Sequence, residues 1–164
     1  MKLIGEKQME IRNRYIDEII FKDDSLTIKE TVKNAVIHGI SLSYSNLSDS
    51  DLRGSNLSGS NLRGSNLSYS NLSDSDLRGS NLSYSNLSGS NLSGSDLRGS
   101  NIDFSCLPLW CGSKDIKIDK DQAKQLFMHV FNIGLKYFPG GLTEEQKEWV
   151  NTCHRIQDGS FPKF

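Results

Sequence analysis

Residues 45–105 read SNLSD SDLRG SNLSG SNLRG SNLSY SNLSD SDLRG SNLSY SNLSG SNLSG SDLRG SNIDF S, a period of five with no insertion or deletion. Leucine or isoleucine stands at every fifth place from Leu47 to Leu107, with serine two places before each. Asn or Asp immediately precedes the first twelve, from Asn46 to Asn101. Neither a helix nor a flat strand explains this spacing, because a 3.6-residue or two-residue period would scatter the leucines over all faces. A Ser/Gly-rich linker has a similar composition, but disorder requires no register, and here the register is strict. The stretch therefore reads as a folded repeat.

A small residue, then Asn or Asp, then Leu, then two variable positions resembles the pentapeptide-repeat family, and the match covers about 60 residues. The resemblance implies a mainly β fold: a right-handed quadrilateral β-helix with four pentapeptides per coil, the Leu and the small residue inward and the other positions toward solvent. Coils joined by backbone ladders are expected about 4.8 Å apart, so Ser45 to Leu109 makes a little over three coils. The expected organisation is a hairpin and short helix capping the start (1–40), the β-helix (41–109) and a two-helix cap (110–164). Asn and Asp bond their own backbone neighbours readily and are expected to be structural. The family usually prefers Ala at the small inward position, whereas this chain has Ser at all thirteen from Ser45 to Ser105. A buried hydroxyl costs about 1–3 kcal/mol unless bonded, so each is expected to bond a nearby carbonyl, with Ser65→Ala as the probe.

Positions twenty apart stack in such a coil, which turns the sequence into surface columns. One reads Tyr44, Gly64, Tyr84, Phe104; the next face carries Asp49, Tyr69, Gly89 and Leu109. Tyr44, Tyr69, Tyr84 and Phe104 either anchor a partner or cover a turn. Another column sets Asp76 and Asp96 beside Arg78 and Arg98, and each Asp that replaces Asn before a leucine is followed two places on by Arg, Asp51 with Arg53 included. Arg78 and Arg98 join the candidate contact residues. Ser43–Ser58 is identical to Ser68–Ser83. That offset is five pentapeptides, not a whole coil, and looks like duplicated coding sequence.

Outside the array, Met9–Arg14 and Tyr15–Phe21 suggest a hairpin, although Ile16, Ile19 and Ile20 also suit a helix face. Thr27 to Glu30 has the form of a capping box, with Ile28, Val32, Ala35 and Val36 at helical spacing and Gly39 as a stop. His38 would cap that helix. After the array, Pro108 cannot donate a ladder bond and Trp110 can cover the last coil, so the repeat is expected to end here. Asp119–Tyr137 and a second segment from Thr143 to about Ile156 read as helices. This tail, with LWCG, Gln125 and His129 on its first helix and a late His154–Arg155 pair, resembles the extension of uncharacterised bacterial and phage pentapeptide proteins.

The function classes narrow from there. A net charge of −1, from 19 basic and 20 acidic residues, provides no long-range field for nucleic acid or an anionic membrane. No apolar stretch approaches the roughly 20 residues that span a bilayer. Three cysteines without a CxxC pair fit reduced thiols, so a cytoplasmic location is expected. Cys111, Gln125, His129, Cys153, His154 and Arg155 form the only cluster with chemical potential, and its spacing matches no zinc or nucleophile motif. No cofactor, metal or catalytic residue is expected. The reading is a non-enzymatic protein-binding scaffold, a modulator of a host protein in a bacterium or its phage, with His129, His154 and Arg155 as further contacts. Two alternatives stand beside it: a small-ligand or metal site in the tail, or mimicry of the DNA rod toward DNA gyrase, as in some members of the family. Mimicry needs unbalanced acidic faces, and 45–105 holds six Asp against four Arg and no projecting loop. Phe161, Phe164, Tyr137 and Phe138 are residues that a homodimer interface would use.

Overall fold

The computed structural model describes residues 8–103, 105–107, 115–120 and 122–123. The chain divides into two compact units, 1–118 and 119–164.

In the first unit, parallel bridges join each Asn or Asp to the residue twenty further on, Asn46 to Asn66 to Asn86, Asp51 to Asn71 to Asn91, Asn56 to Asp76 to Asp96, and Asn61 to Asn81 to Asn101. Four sides of five residues therefore make one coil of a β-helix. We label its faces by their central residues: first (Leu42, Leu62, Leu82, Ile102), second (Leu47, Leu67, Leu87), third (Leu52, Leu72, Leu92) and fourth (Leu57, Leu77, Leu97). These side chains are at most 4% exposed and form the core.

The strictness of the motif follows from where its five backbone N–H groups go. In Ser65–Tyr69, the Asn66 N–H donates to Ser45 O (2.8 Å) in the coil before, and the N–H groups of Leu67 and Tyr69 donate to Asn86 O (2.8 Å) and Ser88 O (2.9 Å) in the coil after. The Ser65 N–H closes a turn onto Leu62 O (3.0 Å). One donor remains, that of Ser68, and the Asn66 side-chain oxygen accepts it (3.3 Å) together with the Ser68 hydroxyl (2.8 Å). Asn and Asp are interchangeable here because only the oxygen is required. All five N–H groups of this pentapeptide therefore have an acceptor.

Each turn places its last variable residue in the left-handed region. All twelve such positions from Tyr44 to Gly99 have φ between 58° and 72°; seven are glycine, two are aspartate and three are tyrosine.

The inward serines only partly follow expectation. Ser60, Ser70, Ser80, Ser90 and Ser95 donate to the carbonyl of the leucine three places back (2.6–2.7 Å). Ser75 instead reaches Leu52 O (2.9 Å), the carbonyl Ser55 would use, and Ser55 is left without a partner. The stacked hydroxyls of Ser45, Ser65 and Ser85 are buried and have none either. The universal carbonyl bond expected from the sequence is thus corrected at four positions, Ser65 among them.

The start of the stack is covered. β1 (Met9–Asn13) pairs antiparallel with β2 (Ile19–Asp23) and with β3 (Ser45–Asn46) of the first coil, Arg12 opposite Asn46 and Asn13 opposite Ser45. The second strand begins at Ile19, since 14–18 form the turn. Helix α1 (Ile28–Ile37) opens on Thr27, whose hydroxyl oxygen accepts from the Glu30 N–H (3.2 Å), and Gly39 follows its end at φ 67°. Asp23 ties β2 to α1 by accepting from Thr31 (2.8 Å) and Asn34 (2.7 Å). Ile11, Val32 and Ala35 are fully buried between these elements. The ladder carries one rung beyond the periodic sequence, Asp96 to Lys117, twenty-one residues apart, with Leu97 N–H donating to Lys117 O (2.8 Å).

In the second unit a helix begins at Lys120. Asp119 and Gln122 form a reciprocal cap: the Asp119 carboxylate accepts from the Gln122 N–H (2.9 Å), and the Gln122 side-chain oxygen accepts from the Asp119 N–H (3.0 Å). The second C-terminal helix expected from Thr143 lies outside the described residues.

Candidate partner-binding face

The first face carries a continuous strip of aromatic and cationic side chains. The Tyr44 ring lies over Gly64, where an added Cβ would fall 2.5 Å from the ring. Antiparallel pairing of β1 with the first coil brings the Arg14 N–H onto Tyr44 O (2.8 Å) and thereby sets Tyr15 beside Tyr44, ring centroids 6.1 Å apart. Arg14 stacks on the Tyr15 ring (5.0 Å) and donates to Gly64 O (3.1 Å). Arg63, next to Gly64 in the chain, lies over the Tyr84 ring (4.5 Å) and donates to the Ser83 hydroxyl (3.1 Å). Tyr15 is 70% exposed, Tyr44 39% and Tyr84 49%.

The tyrosine backbones are strained. Tyr44, Tyr69 and Tyr84 have φ of 59°, 58° and 60°, a region where a side chain meets its own backbone and glycine does not. The cost is on the order of 1–2 kcal/mol per residue, at positions where most of the turns carry glycine. Tyr69 stands on the second face, 72% exposed, its ring over Gly89. Both tyrosines of the duplicated segment thus cover a glycine one coil on, so the turn-covering role holds for them whatever else they do.

Arg78 and Arg98 lie elsewhere, on the fourth face. Arg78 grips Asp76 with two bonds (2.8 and 2.5 Å), and Arg98 grips Asp96 in the same way (2.9 and 2.5 Å). Arg78 also approaches Asp96 at 4.0 Å, linking the pairs. The Arg98 bonds hold the Asp96 carboxyl down to about 2 against the opposing effect of its burial. Asp76 is lowered in the same sense, chiefly by Arg78. Asp51 and Arg53 form no such pair, Asp51 accepting only the Arg53 backbone N–H (3.2 Å).

Of the residues singled out from the sequence, Tyr44 and Tyr84 share the first face, Tyr69 is on the second, and Arg78 and Arg98 are on the fourth. Phe104, His129, His154 and Arg155 lie outside the described residues. Sequence reasoning missed Arg14, Tyr15 and Arg63. Arg63 was visible in principle, twenty places from Ser43 and Ser83 in the column beside the tyrosines.

A family profile of pentapeptide repeats, in 8 copies, matches residues 45–83 and 76–108, the same stretch that forms these coils. Residues 45–108 of the chain are a pentapeptide-repeat array. Such repeats form right-handed β-helices. Among solved structures, this chain is similar to HetL, a pentapeptide repeat protein involved in heterocyst differentiation regulation from the cyanobacterium Nostoc sp. strain PCC 7120. Identity is 31% over 48% of this chain and 34% of HetL, with a TM-score of 0.40. It is also similar to Rfr23 from the cyanobacterium Cyanothece 51142 (35% identity over 46% of this chain and 40% of that one, TM-score 0.23). A third is QnrB1, a plasmid-mediated fluoroquinolone resistance protein (20% identity, 51% and 44% covered, TM-score 0.20). The chain spans less than half the length of each of these three. No curated protein matches it. Among the described residues, no helix is long and apolar enough to cross a membrane.

Proposed function

We propose that this chain is a non-enzymatic scaffold that binds a protein partner through its first face, as a modulator of a host protein in a bacterium or its phage. The observation that carries the reading is the tyrosine placement. Exposed tyrosines occupy left-handed turn positions where glycine would be free of strain, and strain of this kind is retained where a surface is used. Tyr and Arg are also the side chains that dominate binding energy at protein interfaces. Mimicry of DNA toward gyrase draws less support, because Asp76 and Asp96 are tied to Arg78 and Arg98 and present no bare acidic column.

The test is an affinity capture from bacterial lysate with the intact protein beside a Tyr44→Gly/Tyr84→Gly variant. Glycine suits the left-handed turn, so the variant is expected to fold. A protein captured stoichiometrically by the intact chain and lost with the variant is the expected result. Capture that is indifferent to the two substitutions would move the contact surface away from the first face.

A further inference from the structure

We infer that the first face takes an acidic protein segment, its carboxylates on Arg14 and Arg63 and its side chains against Tyr15, Tyr44 and Tyr84. This rests on the scaffold reading and adds the partner's chemistry to it.

Uncompensated positive charge stands in a preorganised place on this face. Arg12, Arg78 and Arg98 each have a carboxylate within 3.3 Å. Arg14, Arg53 and Arg63 have none within 4 Å among the described residues, and of these three Arg14 and Arg63 lie over tyrosine rings on the first face. Each makes a single side-chain bond, Arg14 to Gly64 O and Arg63 to the Ser83 hydroxyl. A guanidinium has five N–H donors in a rigid fork, so most of the donors of both remain open to a carboxylate. Both cations are held in place, one over the Tyr15 ring and the other over that of Tyr84. That preorganisation lowers the entropy lost on binding. Continuity makes them one site: Tyr15 contacts Tyr44, Tyr44 covers Gly64, Arg14 bonds Gly64, and Arg63 follows Gly64 and reaches Tyr84. Asp103, twenty places beyond Ser83, bounds the cationic strip at its far end.

A nucleic acid fits less well. Polyanion affinity is assembled from many phosphate contacts, and two open guanidiniums are few. A strand running on along this face would meet the carboxylate of Asp103.

The experiment is selection of a displayed random-peptide library on the intact protein and on an Arg14→Gln/Arg63→Gln variant, with Arg78→Gln/Arg98→Gln as the charge-matched control. Selected peptides should be enriched in Asp and Glu on the intact protein and on the control, and lose that enrichment on the Arg14/Arg63 variant. Labelled peptides from the intact selection should bind roughly tenfold more weakly to the Arg14/Arg63 variant, as loss of a charge-assisted contact implies. Acidic enrichment that persists in that variant, or tighter Arg14- and Arg63-dependent binding of an oligothymidylate, overturns the inference. Selection of uncharged peptides that still need Tyr44 and Tyr84 sinks the acidic partner and leaves the scaffold reading standing. Peptides indifferent to those tyrosines sink both.

Discussion

At the scale of the residue, one motif position completes the bonding of the backbone. The Asn or Asp before each leucine takes the single backbone donor that the ladders leave over, as Asn66 does for Ser68, and this role was legible from the sequence because a short side chain with an oxygen at that distance bonds its neighbour. The inward serines were legible as buried but not as bonded or unbonded. A strict period makes them look equivalent, yet the stacked hydroxyls of Ser45, Ser65 and Ser85 find no acceptor while Ser60, Ser70, Ser80, Ser90 and Ser95 reach the leucine three places back. Ser70→Ala should therefore cost about 1 kcal/mol, the usual value of a hydrogen bond, since it removes the bond to Leu67 O. Ser65→Ala should be neutral or stabilising, since it removes a buried hydroxyl without a partner. Chemical denaturation of the two variants checks this, and equal losses would show that Ser65 finds an acceptor after all.

At the scale of the element, the hairpin, the first helix and its Thr27 cap followed from local pattern, whereas the strip on the first face did not. Arg14 and Tyr15 reach Tyr44 only because β1 pairs with the first coil in one register, Arg12 opposite Asn46, and no local pattern encodes that docking. The fourth face is the element most open to test by pH. Asp96 is held near 2 by Arg98, below the roughly 3.9 of an unfolded aspartate. A lowered carboxyl stabilises the fold above its unfolded value and loses that contribution as pH falls through the folded one. Stability should accordingly decline between about pH 5 and pH 2, and Arg98→Gln should flatten that decline because it removes the chief cause of the shift. Thermal unfolding followed across that range checks the sign; an unchanged slope in the variant would mean that other carboxylates set it.

At the scale of the whole molecule, a coil whose backbone donors are met within itself and by the coils directly before and after it is close to a removable part. Excision of residues 65–84, one full coil, leaves Tyr44 over Gly64 and restores every column in phase. The shortened chain should keep a cooperative unfolding transition, at lower temperature, in circular dichroism; loss of cooperativity would mean that the caps and coils depend on one another beyond nearest neighbours. The duplicated stretch, Ser43–Ser58 and Ser68–Ser83, gains its meaning here as well. Because it recurs at an offset of five repeats on a four-sided rod, the second occurrence is advanced along the axis by one coil and turned by one side, so that Tyr44 reappears as Tyr69 around the corner. A lineage that lengthens by such slips threads its features around the shaft like the groove of a screw, and can offer an old contact in a new compass direction without inventing a residue.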